Sequence, residues 1–201
     1  MRNCTPLLLL LFACLPMAGR VFAAAPPGAQ LCEACHGPNG VSIQKAVPTI
    51  AGISAFYLDG QILAYQKGRR YCPEGKSPAE PAGVMCAIAK RLSPAEYSAI
   101  DKYFAAQKFV PVKQSWDPKL AANGKQIHDS ECGRCHTSGG RVADDDAGIL
   151  AGQWTPYLQQ AFKEYQSGNR VMPDQMKPKI DALTVDQVNA LIQYYASEGQ
   201  P

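Results

Sequence analysis

Apolar residues recur three and four positions apart along two matched stretches. Tyr57, Leu58, Ile62 and Tyr65 form one stripe, and Tyr157, Leu158, Phe162 and Tyr165 repeat it 100 positions later. That spacing predicts an amphipathic helix in each stretch. A second pair of helices is predicted further along each half, where Tyr97, Ile100 and Phe104 fall on one face, as do Val188, Leu191 and Tyr195. Capping signals open both. Ser93 is followed by Pro94 and Glu96, and Thr184 is matched by Gln187.

The match extends beyond the stripes. At the same offset Ala51-Gly52 meets Ala151-Gly152, Tyr65-Gln66 meets Tyr165-Gln166, and Gly68 and Arg70 meet Gly168 and Arg170. The offset then drops to 91, which aligns Leu92-Ser93 with Leu183-Thr184 and Tyr103-Phe104-Ala105 with Tyr194-Tyr195-Ala196. The first copy thus carries nine extra residues between Arg70 and Met85. A duplicated, all-α chain is expected. Its domains would be residues 24–110 and 119–201, with 111–118 as linker. Pro111 and Pro118 stiffen that linker, and Trp116 is expected to pin it to a domain, so the pairing should be fixed. Each copy is under 100 residues and buries little surface by itself.

Residues 1–23 read as a cleaved secretory signal. Arg2 begins it, Leu7–Phe12 is its apolar run, and Val21-Phe22-Ala23 fits small-residue cleavage. The run is too short to span a bilayer. Leu11-Phe12-Ala13-Cys14 loosely resembles a lipoprotein box, which Phe12 fits poorly. Periplasmic localisation is expected. Cleavage takes Arg2 and Arg20 and no acidic residue, so the formal charge of +3 falls by two. Nothing in this balance suggests nucleic-acid binding, which wants a basic patch. Charge is uneven between the halves. Lys67, Arg69 and Arg70 cluster near the insertion, where the simplest reading is a solvated face.

The chemistry lies in the cysteines. Cys32-Glu33-Ala34-Cys35-His36 and Cys132-Gly133-Arg134-Cys135-His136 are two C-x-x-C-H motifs, one per repeat. This is the attachment signature of a c-type haem. The two thiols add across the porphyrin vinyl groups, and the following histidine becomes the proximal iron ligand. A shared zinc is the competing reading, but zinc wants four ligands in one tetrahedron, and these copies sit far apart in sequence. Two covalently attached haem c groups are therefore expected.

A sixth ligand is sought next. Methionine opposite histidine raises the potential and suits electron transfer. Met85 precedes Leu92-Ser93 by the spacing at which Met176 precedes Leu183-Thr184, so these two are the distal candidates. Met172 is the rival in the second copy, and plain core methionines remain the bland alternative. Each proximal ring is expected to donate its N–H to a backbone carbonyl, with Pro48 and Gly148 as candidates. His128 reads as a buried or surface histidine. Cys72 and Cys86 are left after the motifs and the signal segment are subtracted. They are either a disulfide candidate or two free thiols, and an exported chain favours the pair.

Over nearly all its mature length the chain resembles tandem class I cytochrome c domains. Three segments of the second half carry a narrower likeness: the run Ile149 to Gln159, the segment Ile127-His128-Asp129 before Cys132, Cys135 and His136, and the linker with Gln114 and Trp116. They resemble the diheme cytochrome subunit of flavocytochrome c sulfide dehydrogenase. The Cys72–Cys86 insertion departs from that pattern. The resemblance implies two cytochrome c domains related by a pseudo-two-fold, each enclosing one haem, with the haems near the domain interface. It implies that Cys32, Cys35, His36, Cys132, Cys135 and His136 carry the haems, with Met85 and Met176 distal. It also implies partners: a FAD-containing sulfide dehydrogenase subunit as donor and a soluble cytochrome c or similar acceptor.

No G-x-G-x-x-G fingerprint occurs, so FAD would sit on the partner. The expected function is therefore the electron-transfer subunit of such a dehydrogenase, with a free diheme shuttle to a terminal oxidase as the alternative and an enzyme working at an open haem as a third reading. Two methionine-ligated irons leave no open site, which argues against the third.

Overall fold

A computed structural model of the chain describes residues 24–72 and 81–199, with residues 81–83 described in backbone only. The candidate signal segment and its Cys14 box lie outside the described residues, as does most of the first-copy insertion. The first half contains α1 (Ala29–His36), α2 (Ala55–Gln66), α3 (Pro81–Ala89) and α4 (Pro94–Ala105). The second half contains α5 (Pro118–Ile127), the short turn α6 (Thr137–Gly140), α7 (Thr155–Gln166), α8 (Lys177–Asp181) and α9 (Val185–Glu198). A π-helical turn, His128–Cys132, extends α5 into the second motif. Among the described residues there is no sheet, only one isolated bridge. No described helix is long and apolar enough to cross a membrane.

Local chemistry explains the element boundaries. Ser93 and Thr184 accept from the backbone N–H of Glu96 and Gln187, whose side chains bond back to the cap, closing a capping box at α4 and at α9. Asp117 caps α5 by accepting from Lys119 N–H and Leu120 N–H. The striped faces meet as the pattern predicts. Leu58, Ile100 and Phe104 share one core, and Leu158, Phe162, Leu191 and Tyr195 share the other. In the second half α5 crosses α9 closely at Gly124. A Cβ there would stand 2.0 Å from the Ala190 carbonyl oxygen, so no larger residue fits.

The two halves are locked together, but not by the residue the sequence suggests. Trp116 is 40% exposed. The linker is held instead by hydrogen bonds. Val112 N–H donates to Gly152 O at 2.9 Å, and Asp117 N–H donates to Gln193 Oε1 at 2.9 Å. Gln114 donates to Gln153 O and accepts from Thr155 N–H. Backbone donors in a stretch with only two prolines outweigh one indole at the surface.

Across the interface, Tyr71 N–H donates to Asn169 O at 2.7 Å and Val171 N–H to Arg69 O at 3.0 Å. This places Arg70 opposite Arg170 in an antiparallel bridge. At this bridge a repeat position meets its own counterpart, as in isologous, two-fold pairing. Gln153 is 1% exposed and bonds Thr49 both ways, accepting from its N–H at 2.9 Å and donating to its carbonyl at 2.7 Å. Gln153→Leu would orphan both buried groups, at about 1–3 kcal/mol each. A clear fall in the thermal midpoint is expected, and an unchanged midpoint would show that Gln153 does not secure the interface.

Candidate haem sites

In the first half α1 carries Cys32, Cys35 and His36 on its last turns. Gly37 stops the helix with φ 78° and bonds back to Glu33 O. His36 is buried, and its Nδ1 lies 2.8 Å from Pro48 O. Burial lowers its affinity for a proton, with the Pro48 carbonyl opposing this and Arg70 adding to it. The ring is therefore neutral with Nδ1–H donating to Pro48, and Nε2 keeps its lone pair. That is the tautomer a metal ligand needs.

His36 lines a cavity of about 920 Å³ together with Cys32, Cys35 and Met85. The volume is at the upper end of the roughly 300–1,000 Å³ range of cofactor pockets. Its wall is otherwise largely apolar, with Leu58, Ile62, Ile100 and Phe104 among the side chains. Burial pushes the Cys32 thiol up to about 11, with Asp101 and Glu33 adding to the shift. Two free thiols, a neutral imidazole and a thioether around one apolar space fit a covalently bound haem. They do not fit zinc, which wants converging thiolates. Among the described residues no group of three or more His, Cys, Asp or Glu side chains could hold a metal ion. The wall also includes Tyr157, Gln160 and Arg170 of the second half, so the cavity reaches the interface.

Met85 stands on α3 beside Cys86, which is disulfide-bonded to Cys72 across a sequence separation of 14. Tyr65, Cys86 and Ala89 form a small core against which Met85 and Cys72 pack. A loop of this size contributes about 3 kcal/mol in the chain-entropy model. The bond ties α3 to the end of the segment after α2 and so limits how far Met85 can move. Reducing it is expected to perturb the spectrum attributable to the first haem and leave the second unchanged. Identical spectra before and after reduction would contradict this.

The second half builds the matching site differently. Cys132 ends the π-helical turn, and Gly133 N–H closes it by donating to His128 O at 2.7 Å. His128 is a buried core residue, with Nδ1 3.1 Å from the Tyr195 hydroxyl. Burial lowers the proton affinity of His136 as it does that of His36. The Gly148 carbonyl is close enough to oppose that shift, but it is not in hydrogen-bonding geometry, and His136 Nδ1 is buried without a partner. Cys132, Met172 and Met176 all pack against the Leu158–Phe162–Ile180 core. Both methionines are half-buried, so packing does not choose between them.

Several interface residues were not legible as such. Arg70 is not on a solvated face. Its side chain is 12% exposed, pairs with Glu164 at 3.2 Å and stacks 4.3 Å above the Tyr65 ring. Arg170 is buried, donates to Tyr57 and Gln61, and stacks over Tyr165. The repeated Gly-x-Arg was the available signal, because a cation placed identically in both copies is poorly explained as surface charge.

Residues 119–194 match the family described as cytochrome C oxidase, cbb3-type, subunit III. The thiosulfate dehydrogenase electron acceptor of Thiomonas intermedia is 30% identical over 164 residues, 74% of this chain and 69% of that one. The chain belongs to the cytochrome c4-like family of diheme class I cytochromes c. The solved cytochrome c4 of Acidithiobacillus ferrooxidans superposes with a TM-score of 0.68 at 28% identity, covering 83% of this chain and 98% of that one. The thiosulfate dehydrogenase TsdBA of Marichromatium purpuratum superposes with a TM-score of 0.67 at 26% identity, over 83% of this chain and 36% of that much longer one. This diheme cytochrome is thus an electron-transfer protein of two tandem cytochrome c domains, and its relatives imply covalently bound haem c.

Proposed function

We propose that this cytochrome stands in the periplasm between a sulfur-compound dehydrogenase and a terminal acceptor, and relays electrons through two fixed haems. In this reading residues 1–23 are removed on export, and 24–110 and 119–201 are the domains. Cys32 and Cys35 hold one haem and Cys132 and Cys135 the other. His36 and His136 are the proximal ligands, and Met85 and Met176 the distal ones. Each haem supplies one-electron iron chemistry. The protein orients His36 through Pro48, excludes water with an apolar wall and fixes the distance between sites through the Arg70–Arg170 bridge. The observation that carries the reading is the pinned pairing of two motif-bearing halves.

Two donors compete. The Ile149–Gln159 run supports a FAD-containing sulfide dehydrogenase subunit, but that likeness lies in one half. Relatives that span both halves support a thiosulfate dehydrogenase, and we favour it for that reason. A free shuttle to a terminal oxidase is compatible with either. The test is stopped-flow reduction of the oxidised holoprotein by each purified dehydrogenase with its substrate. Fast haem reduction with thiosulfate dehydrogenase and thiosulfate is expected. Fast reduction only with the flavoprotein and sulfide would reverse the choice of donor, and reduction by neither would overturn the reading.

A further inference from the structure

Two carboxyls meet where α2 packs on α4, at the edge of the first cavity. Asp101 is 4% exposed and lines the cavity wall. Asp59 Oδ1 and Asp101 Oδ2 are both buried, and neither has a hydrogen-bond partner of the ordinary donor kind. They lie within hydrogen-bonding reach of each other. Two ionised carboxylates repel each other in such a place, whereas one proton between them satisfies both oxygens.

The surroundings supply no compensating charge among the described residues. From α2 the facing group is Asp59 itself. From α1 it is the Cys32 thiol, with Glu33 behind it accepting from Asn39 N–H and the Tyr103 hydroxyl. On α4, Glu96 is spent on the capping box, and Tyr97 lines the wall. Arg70, Arg170 and Glu164 also line the cavity, but they are engaged with one another's halves at the interface and do not bear on Asp101. Burial first, and Asp59 second, push the Asp101 carboxyl up to about 8.

The second copy has nothing equivalent. Asp59 aligns with Gln159 and Asp101 with Ile192, which is 1% exposed in the core. A position filled by a core isoleucine in one copy thus holds a carboxyl in the other. Burying an acid where an apolar side chain fits is costly to the fold, and such perturbed groups concentrate at functional positions.

We propose that, at pH values where the oxidised protein has lost the proton shared by Asp59 and Asp101, the pair regains it when the first haem is reduced, so that this half couples electron transfer to proton transfer and the second half does not. The proposal rests on the reading of the cavity as the first haem's site. One electron from the donor protein takes ferric iron to ferrous, one proton from water joins the pair, and oxidation returns both. The added negative charge raises the pair's proton affinity across a low-dielectric space.

The same pair weakens the fold with rising pH. Its folded-state carboxyl lies above the unfolded value of 3.8, so stability is full below that value and is lost as pH rises towards about 8. Asp101→Asn is expected to flatten this loss in thermal melts at low and high pH.

The decisive test is spectroelectrochemical titration of the holoprotein from acid to alkaline pH, for wild type, Asp59→Asn and Asp101→Asn. One haem's potential is expected to fall as pH rises through the pair's range, by up to one proton per electron, with the other flat. Asp101→Asn should abolish the slope, and Asp59→Asn should move it to lower pH. Redox-difference infrared spectra of the wild type, taken above the pH at which the oxidised pair gives up its proton, should show a protonated carboxyl appearing on reduction, which keeps the test if Asp101→Asn fails to fold. Two haems with no pH dependence would overturn the proposal alone, as would a slope that survives in Asp101→Asn. A chain with one haem would overturn the reading of the cavity and the proposal with it.

Discussion

Converting Cys32 and Cys35 together to serine is expected to leave a chain with one covalent haem instead of two, and a first half that no longer holds its shape. Serine oxygen does not form the thioether. The cavity of about 920 Å³ would then have no covalently held occupant. The apolar wall that the occupant covered would then face water. Collapse or local unfolding of α1 to α4 is therefore expected. The second half should survive, since its core of Leu158, Phe162, Leu191 and Tyr195 is separate. Denaturing mass spectrometry counts the haems, and limited proteolysis locates the loss. Two haems retained, or a protease-resistant first half, would contradict this.

Met85→Ala is expected to lower the potential of the first haem by on the order of a few tenths of a volt, within the ~0.8 V that axial ligation spans. A thioether favours the reduced iron, and removing it leaves water or no ligand. About half of the weak near-infrared band of methionine ligation should vanish with it. Met176→Ala should do the same at the second haem, and Met172→Ala should not. The second pair of variants decides what packing leaves open, because both methionines touch the same core. A wild-type potential and band in Met85→Ala would assign the sixth ligand elsewhere.

Much of this protein was readable in advance because its signals are local or periodic. Capping boxes involve residues three apart, and the core stripes of α2, α4, α7 and α9 follow helical spacing. Duplication then located the second copy of whatever the first contained. What the sequence hid is what the halves do to each other. Gln153 bonds Thr49 across 104 positions, and Arg70 reaches Glu164 across 94. No periodicity encodes such partners. Trp116 shows the opposite error, since an aromatic in a linker looks like an anchor while backbone donors hold the segment. The Asp59–Asp101 pair leaves no mark in the sequence because each acid sits at an ordinary helical position, and only the α2–α4 packing brings them together.

On the function proposed above, each half carries its own covalently attached haem. Intact mass of the native protein from an exporting host, taken under denaturing conditions, tests it most directly, because only covalent haem survives. The expected result is the chain from residue 24 plus two haem groups. The bare chain mass, or the chain with a single haem, would contradict it.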